Sequence, residues 1–198
     1  MDSGVLTAAG LALLLGYGLG SIPFGLLLTR IGGAGDLREI GSGSIGATNV
    51  LRTGRKGLAA ATVLLDVGKG LLAVVLAARW WPGLEGIAAV GAILGHCFPV
   101  WLRFKGGKGF ATAAGICLAL AWQVMAVCAL VWAATLAVSR ISSVSSMISV
   151  LAAPLAAWLF GLSSLVPVLG VIAAIVVIQH RANLARLLAR TEPRIGEG

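Results

Sequence analysis

The sequence predicts an all-α fold: a polytopic bundle of seven transmembrane helices, N-terminus outside and C-terminus in the cytoplasm. Three observations carry this. First, the chain of 198 residues is 59% hydrophobic and only 11% charged, with a mean hydropathy of +1.00. A soluble domain carries roughly 25% charged residues. Second, apolar runs of about 20 residues recur, the length at which a helix crosses a hydrocarbon core of about 30 Å. Third, the basic residues gather between those runs, as they do in cytoplasmic loops.

The first run, 5–29, follows only Asp2 and no basic segment. It is longer than a signal-peptide core and reads as a retained first helix. Runs at 57–78, 85–102, 142–160 and 164–180 are clear spans. The stretch 110–138 is long for one upright helix and short for two. Charge decides between them. With loop 30–56 cytoplasmic, Arg30, Arg38, Arg52, Arg55 and Lys56 lie inside, and so do Arg103, Lys105 and Lys108. A hairpin over 110–138 then brings Arg140 and the tail residues Arg181, Arg186, Arg190 and Arg194 to the same side. Of the 15 basic residues, only Arg79 outside and Lys69 within a span remain. A single span would send Arg140 and the tail out. The hairpin reading, with its break near Trp122-Gln123, gives seven spans. The length suits one domain over 1–198. Cys97, Cys117 and Cys128 lie in or beside apolar runs without metal-ligand spacing and read as reduced structural thiols.

Three segments are unlike plain membrane helix, and this topology places all of them on the cytoplasmic face. The first, 36–52, contains GSGSIGATNVLR. Its glycines allow close backbone approach, and runs of such N–H groups form anion nests. Arg52 is a candidate bidentate phosphate clamp, beside Ser42, Thr48 and Asn49. A flexible linker explains the glycines and serines equally well. The second is FKGGKGFAT, from Phe104 to Thr112. A nucleotide P-loop is excluded, because Leu102 and Gly109 stand where that motif needs Gly and Ser or Thr. Anion binding survives that exclusion. Gly106, Gly107 and Gly109 are expected to leave backbone N–H groups uncovered. Ala111-Thr112 opens a helix whose N-terminus favours anions, and Lys105 and Lys108 supply charge. Loop-anchoring lysines alone would not explain three glycines around one lysine. In the third, His180 and Asn183 share a helix face with Arg186 near the same side.

Inside the spans, Ser21, Asp66, Lys69 and His96 are polar. Asp66 and Lys69, three apart, are expected to form a structural ion pair. Gly16/Gly20 and Gly91/Gly95 have the GxxxG spacing of closely packed helices.

Together, GSGSIGATNVLR, GHCFPVWLRFKGGKGFAT and HRANLARLL, with GSIPFG from Gly20 to Gly25, resemble the bacterial integral-membrane glycerol-3-phosphate acyltransferases that use acyl phosphate. The resemblance spans 16–195, with all motifs in order. It implies a seven-helix enzyme of the bacterial cytoplasmic (inner) membrane with its active site facing the cytoplasm. The reaction implied moves a fatty acyl group from acyl phosphate to the 1-hydroxyl of sn-glycerol 3-phosphate, giving lysophosphatidic acid and phosphate, the first committed step of phospholipid synthesis. It puts Ser42, Arg52, Lys108, His180 and Asn183 at the glycerol 3-phosphate site. Catalytic roles fall to His180, Asn183 and Lys108. The acyl phosphate falls to Gly106, Gly107, Lys108 and Gly109, with Thr112 and Asn49 beside them. Two positions depart from the family: Ser44 stands where Asn is usual, and Arg190 where Gly is usual.

Neither His96 nor His180 has an acid five residues on; Trp101 and Ala185 stand there. No nucleophile elbow is present. Direct attack by the glycerol hydroxyl is therefore expected, without an acyl-enzyme, and with His180 or a substrate phosphate oxygen as base. Neither metal nor cofactor is expected. Expected partners are the two substrates, the lipid bilayer and, as a candidate, the peripheral enzyme that makes acyl phosphate; nucleic acid is not among them. The rival class is a small anion transporter or channel, supported by interior polar residues but opposed by the gathering of all three motifs at one face.

Overall fold

The structure, a computed structural model, describes residues 2–196. Its regular elements are all helical among those residues, and the chain divides into two compact units, one up to Ala119 and one from Leu120 on.

In the first unit, α1 (Ser3–Gly20) starts at Asp2, whose carboxylate accepts from the Gly4 N–H at 3.4 Å. The apolar run expected as one helix is interrupted over 21–23 and resumes as α2 (Phe24–Ile31). Pro23 has no N–H to continue the ladder. Two carbonyls near the break are met from far along the chain. Trp101 Nε1 donates to Ser21 O at 2.9 Å, and Lys69 Nζ donates to Ile22 O at 2.9 Å. Within a bilayer, a bare carbonyl would cost several kcal/mol. Lys69 also lies 2.7 Å from Asp66 Oδ1, so the expected ion pair forms and additionally closes the break.

The unit continues with α3 (Ala47–Leu51), α4 (Lys56–Trp80), α5 (Glu85–Cys97) and α6 (Phe110–Leu120). Helices α1 and α5 interlock through both glycine pairs read from the sequence. A Cβ at Gly16 or Gly20 would stand 2.1 Å from the Ala88 or Ala92 carbonyl oxygen. From the other side, a Cβ at Gly91 or Gly95 would stand 2.4 or 2.2 Å from Leu13 O or Tyr17 O. Helices α4 and α6 approach in the same way: a Cβ at Gly70 would meet Thr112 O at 2.3 Å.

The second unit holds α7 (Trp122–Ser139), α8 (Ser142–Leu159), α9 (Val166–Gln179) and α10 (Arg181–Leu188). The break in the long apolar stretch falls at Ala121, which is extended, just before the Trp122-Gln123 expected to mark it. Gln123 sits in the first turn of α7, where unpaired backbone N–H groups tolerate polarity. Ser149 on α8 donates to Cys128 O on α7 at 2.8 Å. The tail folds back, Ile195 N donating to Arg140 O at 2.8 Å.

Among the described residues, five helical stretches are long and apolar enough to cross a membrane: Ser3–Ile31, Lys56–Trp80, Glu85–Leu102, Trp122–Ser139 and Ser142–Leu159. A sixth results if Ser163–Gln179 and Arg181–Leu188, bent by 57°, count as one span, while Phe110–Leu120 is apolar but shorter. Large apolar side chains such as Leu14, Leu64 and Leu130 are exposed, as lipid-facing helices require. This is a multi-pass helical membrane protein.

Candidate active site

The loop 36–46 is built around one side chain. Leu37, Ile45 and Val50 bury against Leu26 of α2 and Ala59 of α4, which roots the loop. Asn49, buried on α3, then gathers it. Its Nδ2 reaches the carbonyls of Leu37 (3.0 Å), Ile40 (2.8 Å) and Ser44 (2.9 Å), while its Oδ1 accepts from Ser42 N (3.3 Å) and Arg52 Nη1 (3.4 Å). With its amide so engaged, Asn49 braces the loop. Gly41 is left-handed, with φ of 53°, and a Cβ there would stand 2.4 Å from Arg52 Nη1. The glycine lets the loop lie directly on the guanidinium. Ser42 and Arg52 are thus brought together through Asn49, and both are exposed. At the loop entry, hydrogen bonds from the side chain and backbone of Arg38, and from Arg30, hold the Asp36 carboxyl well below the usual carboxylate range.

The glycine-lysine loop is fixed just as tightly, against the end of α5. Gly106 N donates to Cys97 O at 3.1 Å and Gly107 N to His96 O at 3.0 Å. These N–H groups are therefore not uncovered, and the expectation that Gly106 and Gly107 offer them to an anion is corrected. The glycines serve close approach. A Cβ at Gly106 would stand 2.1 Å from His96 O, and one at Gly107 2.2 Å from His96 Nε2. Thr112, expected beside the acyl phosphate, is fully buried with its hydroxyl 3.0 Å from His96 Nδ1, so it faces the interior of the unit. Between the pinned glycines and α6 stand Lys108, partly exposed, and Gly109 (φ 87°), followed by the first turn of α6, whose leading N–H groups have no intrahelical acceptors. Behind the loop, Tyr17 on α1 donates its hydroxyl to Phe98 O at 2.8 Å and accepts from Val100 N at 3.0 Å.

In the second unit, His180 sits at the bend between α9 and α10, buried, with Nδ1 2.7 Å from Val176 O. A carbonyl only accepts, so Nδ1 carries the hydrogen. Asn183, one turn on, is also buried, and its Nδ2 donates to Glu192 Oε1 at 2.5 Å. Sequence reasoning missed Glu192. It accepts from Ser143 Oγ at 2.6 Å through Oε1 and from Arg186 Nε at 2.7 Å through Oε2. Burial pushes its carboxyl up, but the bonds from Ser143, Asn183 and Arg186 outweigh that and hold it below the usual range. An acid in a basic tail, a few residues after the His–Asn pair, was the available signal. Asn183 Oδ1 is buried without a hydrogen-bond partner. Among the described residues no group of three or more His, Cys, Asp or Glu side chains is arranged to hold a metal ion.

The fold and these loops define a multi-pass helical membrane protein whose polar chemistry lies in the connections and helix ends. The chain belongs to the glycerol-3-phosphate acyltransferase family, whose model matches residues 10–190. The glycerol-3-phosphate acyltransferase of Erythrobacter litoralis is 58% identical over 94% of each chain. That of Mesorhizobium japonicum is 54% identical over 94% of this chain and 95% of its own. The crystal structure of an integral membrane glycerol 3-phosphate acyltransferase, PlsY (YgiH), in its glycerol 3-phosphate form superposes with a TM-score of 0.90. It is 34% identical over 95% of this chain and 96% of its own. The lysophosphatidic acid form gives 0.88 at 32% identity. The protein is a membrane-embedded glycerol-3-phosphate acyltransferase.

Proposed function

We propose that this enzyme takes its acyl group from acyl phosphate, delivers it to the 1-hydroxyl of sn-glycerol 3-phosphate, and releases lysophosphatidic acid and inorganic phosphate for phospholipid synthesis. The observation that carries the donor assignment is Lys108. It stands between glycines pinned to α5 and the opening of α6, a compact cationic seat suited to one phosphoryl group. Acyl-coenzyme A would need a surface for its nucleotide, which a loop as short as 103–109 does not supply.

The hydroxyl oxygen attacks the acyl carbon directly. A carbon–oxygen bond forms there, the bond from that carbon to the phosphate oxygen breaks, and the hydroxyl proton passes to a base. That base is His180 Nε2 or a phosphate oxygen of a substrate. The bond from His180 Nδ1 to Val176 O favours the histidine, since it fixes the basic tautomer. Lys108 stabilises charge on the departing phosphate. Ser42, Arg52, His180 and Asn183 serve glycerol 3-phosphate, and the whole chain works as one acyltransferase domain. The placement of basic residues supports seven spans in the bacterial inner membrane, with Asp2 outside and the active face and C-terminus cytoplasmic; on that face the peripheral enzyme that makes acyl phosphate is the candidate partner. Gly198, the terminal residue of that topology, lies outside the described residues.

Purified protein in detergent with chelator present tests the reaction. Phosphate release from acyl phosphate should depend on glycerol 3-phosphate and yield lysophosphatidic acid. Comparable product from acyl-coenzyme A overturns the donor assignment. Silence in detergent, with anion uptake into sealed vesicles, favours the transporter class instead.

A further inference from the structure

The buried polar cluster behind the glycine-lysine loop is larger than an ion pair. His96, at the end of α5, touches both ends of the loop's lysine turn. Its carbonyl accepts from Gly107 N at 3.0 Å, and its ring lies so near Gly107 that all three nearest neighbours of an added Cβ would be ring atoms, Nε2 at 2.2 Å. Its Nδ1 lies 3.0 Å from Thr112 Oγ1. Lys108 is flanked by these two attachments. Behind His96 stands Asp66, with Oδ1 3.8 Å from His96 Nδ1 and 2.7 Å from Lys69 Nζ. The Asp66–Lys69 contact is within ion-pair distance, yet Asp66 Oδ1 makes no well-formed hydrogen bond. Lys69 also holds the Ile22 carbonyl. The break after α1, then α4, α5 and α6 are thereby connected to one turn of five residues. His96, Asp66, Lys69 and Thr112 are all at least 96% buried, so none is a contact for a substrate outside.

We infer that His96, held by Thr112 and backed by Asp66 and Lys69, is the positioning residue for Lys108, setting where the lysine's charge meets the transferred group's phosphate. This rests on the reading of Lys108 as the phosphate seat. The chemistry favours an imidazole here. A planar side chain with polar atoms on two edges meets Thr112 on one edge while its other edge packs flat on a glycine. The two glycines differ in a way that exposes the arrangement. At Gly106 an added methyl would strike backbone, His96 O and Cys97 O among it; at Gly107 its nearest neighbours are the movable ring. Gly107 is not in the left-handed region, so what an added methyl meets first there is the imidazole and not a strained backbone.

The test is a set of variants assayed in detergent for kcat and KM with each substrate, alongside melting temperature. Thr112→Val removes only the hydroxyl. It should lower kcat/KM for acyl phosphate by about tenfold or more, since a displacement on the order of 1 Å is worth up to ~100-fold in rate. Melting should stay within about 3 °C. Thr112→Ser, which keeps the hydroxyl, should recover most of the loss. Gly107→Ala and His96→Ala should each lower the same ratio, but the double variant should be no worse than His96→Ala alone, because the added methyl then enters vacated space. Fully multiplicative losses in that cycle would overturn the inference. So would a Thr112→Val protein that melts lower but turns over normally per folded molecule. Lys108→Ala separates the two claims. If it leaves turnover intact, the phosphate-seat reading itself fails. If it abolishes turnover while the Thr112 and Gly107–His96 variants are silent, the seat stands and the positioning role alone is lost.

Discussion

Glu192 is the residue on which the C-terminal end of the second unit depends, and its replacement makes a quantitative prediction. Its two oxygens have different duties. Oε1 takes Ser143 and Asn183, and Oε2 takes Arg186. Glu192→Gln keeps an oxygen for the first two donors and turns an amide toward the guanidinium. The Arg186 side chain is 34% exposed, so that pair is screened, and its loss should cost about 1 kcal/mol. Glu192→Ala strands all three donors, two of them on buried residues. At the lower end of the range for a buried donor left unmet, about 1–1.5 kcal/mol for each of the two, with about 1 kcal/mol for the Arg186 pair, a total of roughly 3–4 kcal/mol follows. A chain of this size shifts its melting point by about 2–4 °C per kcal/mol. Thermal unfolding in detergent, followed by tryptophan fluorescence, should therefore show a drop of a few degrees for Gln and about 6–16 °C for Ala. The pH dependence follows in sign. The folded carboxyl lies below its ordinary value of 4.5, so its contribution is present above that value and is lost as pH falls through the lower folded one. The gap between wild type and Glu192→Ala should accordingly narrow in acid. Equal destabilisation by Gln and Ala would refute the division of labour between the two oxygens. No effect of either would refute the brace.

Three further outcomes follow. Gly16→Ala, whose methyl would stand 2.1 Å from Ala88 O, should lower the melting point clearly, whereas Gly18→Ala, with nothing within 4 Å, should leave it within a degree or two. Asn49→Asp exchanges a donor for an acceptor under three carbonyls. It should abolish turnover and render loop 36–46 sensitive to protease, at about 1–3 kcal/mol per unmet group. Ser44→Asn should keep activity within about threefold, because the carbonyl of residue 44 meets Asn49 while its side chain only accepts weakly from Gly46 N at 3.4 Å, a turn contact that asparagine also makes.

Period, length and charge made the helices legible. The GxxxG pairs, the Asp66–Lys69 pair and the break at Ala121 were local patterns, and the structure has them within a residue or two of where the sequence put them. The interruption over 21–23 was less visible, because an apolar run longer than needed for one span hid the meaning of Pro23. The partners of the glycines were not legible at all. Gly106 and Gly107 read as open N–H donors because nothing in their neighbourhood announces that the end of α5 folds back beneath them. Thr112 and Asn49 were rightly noticed as polar residues beside loops. Which way each side chain points depends on tertiary packing, and both turn inward. Glu192 was overlooked for the same reason: its partners lie on α8 and α10, the farthest 49 positions away.

Tyr17 offers a way of watching the glycine-lysine loop. It is the chain's single tyrosine, and its hydroxyl clasps the backbone on both sides of Pro99, just ahead of the lysine turn. A fluorine placed beside that hydroxyl by biosynthetic incorporation of 3-fluorotyrosine would give one fluorine NMR resonance. No second tyrosine would need to be mutated away. Its shift would follow the clasp as substrates are added, and its line width would report whether the turn stays seated through a catalytic cycle or lifts and resets with each product released.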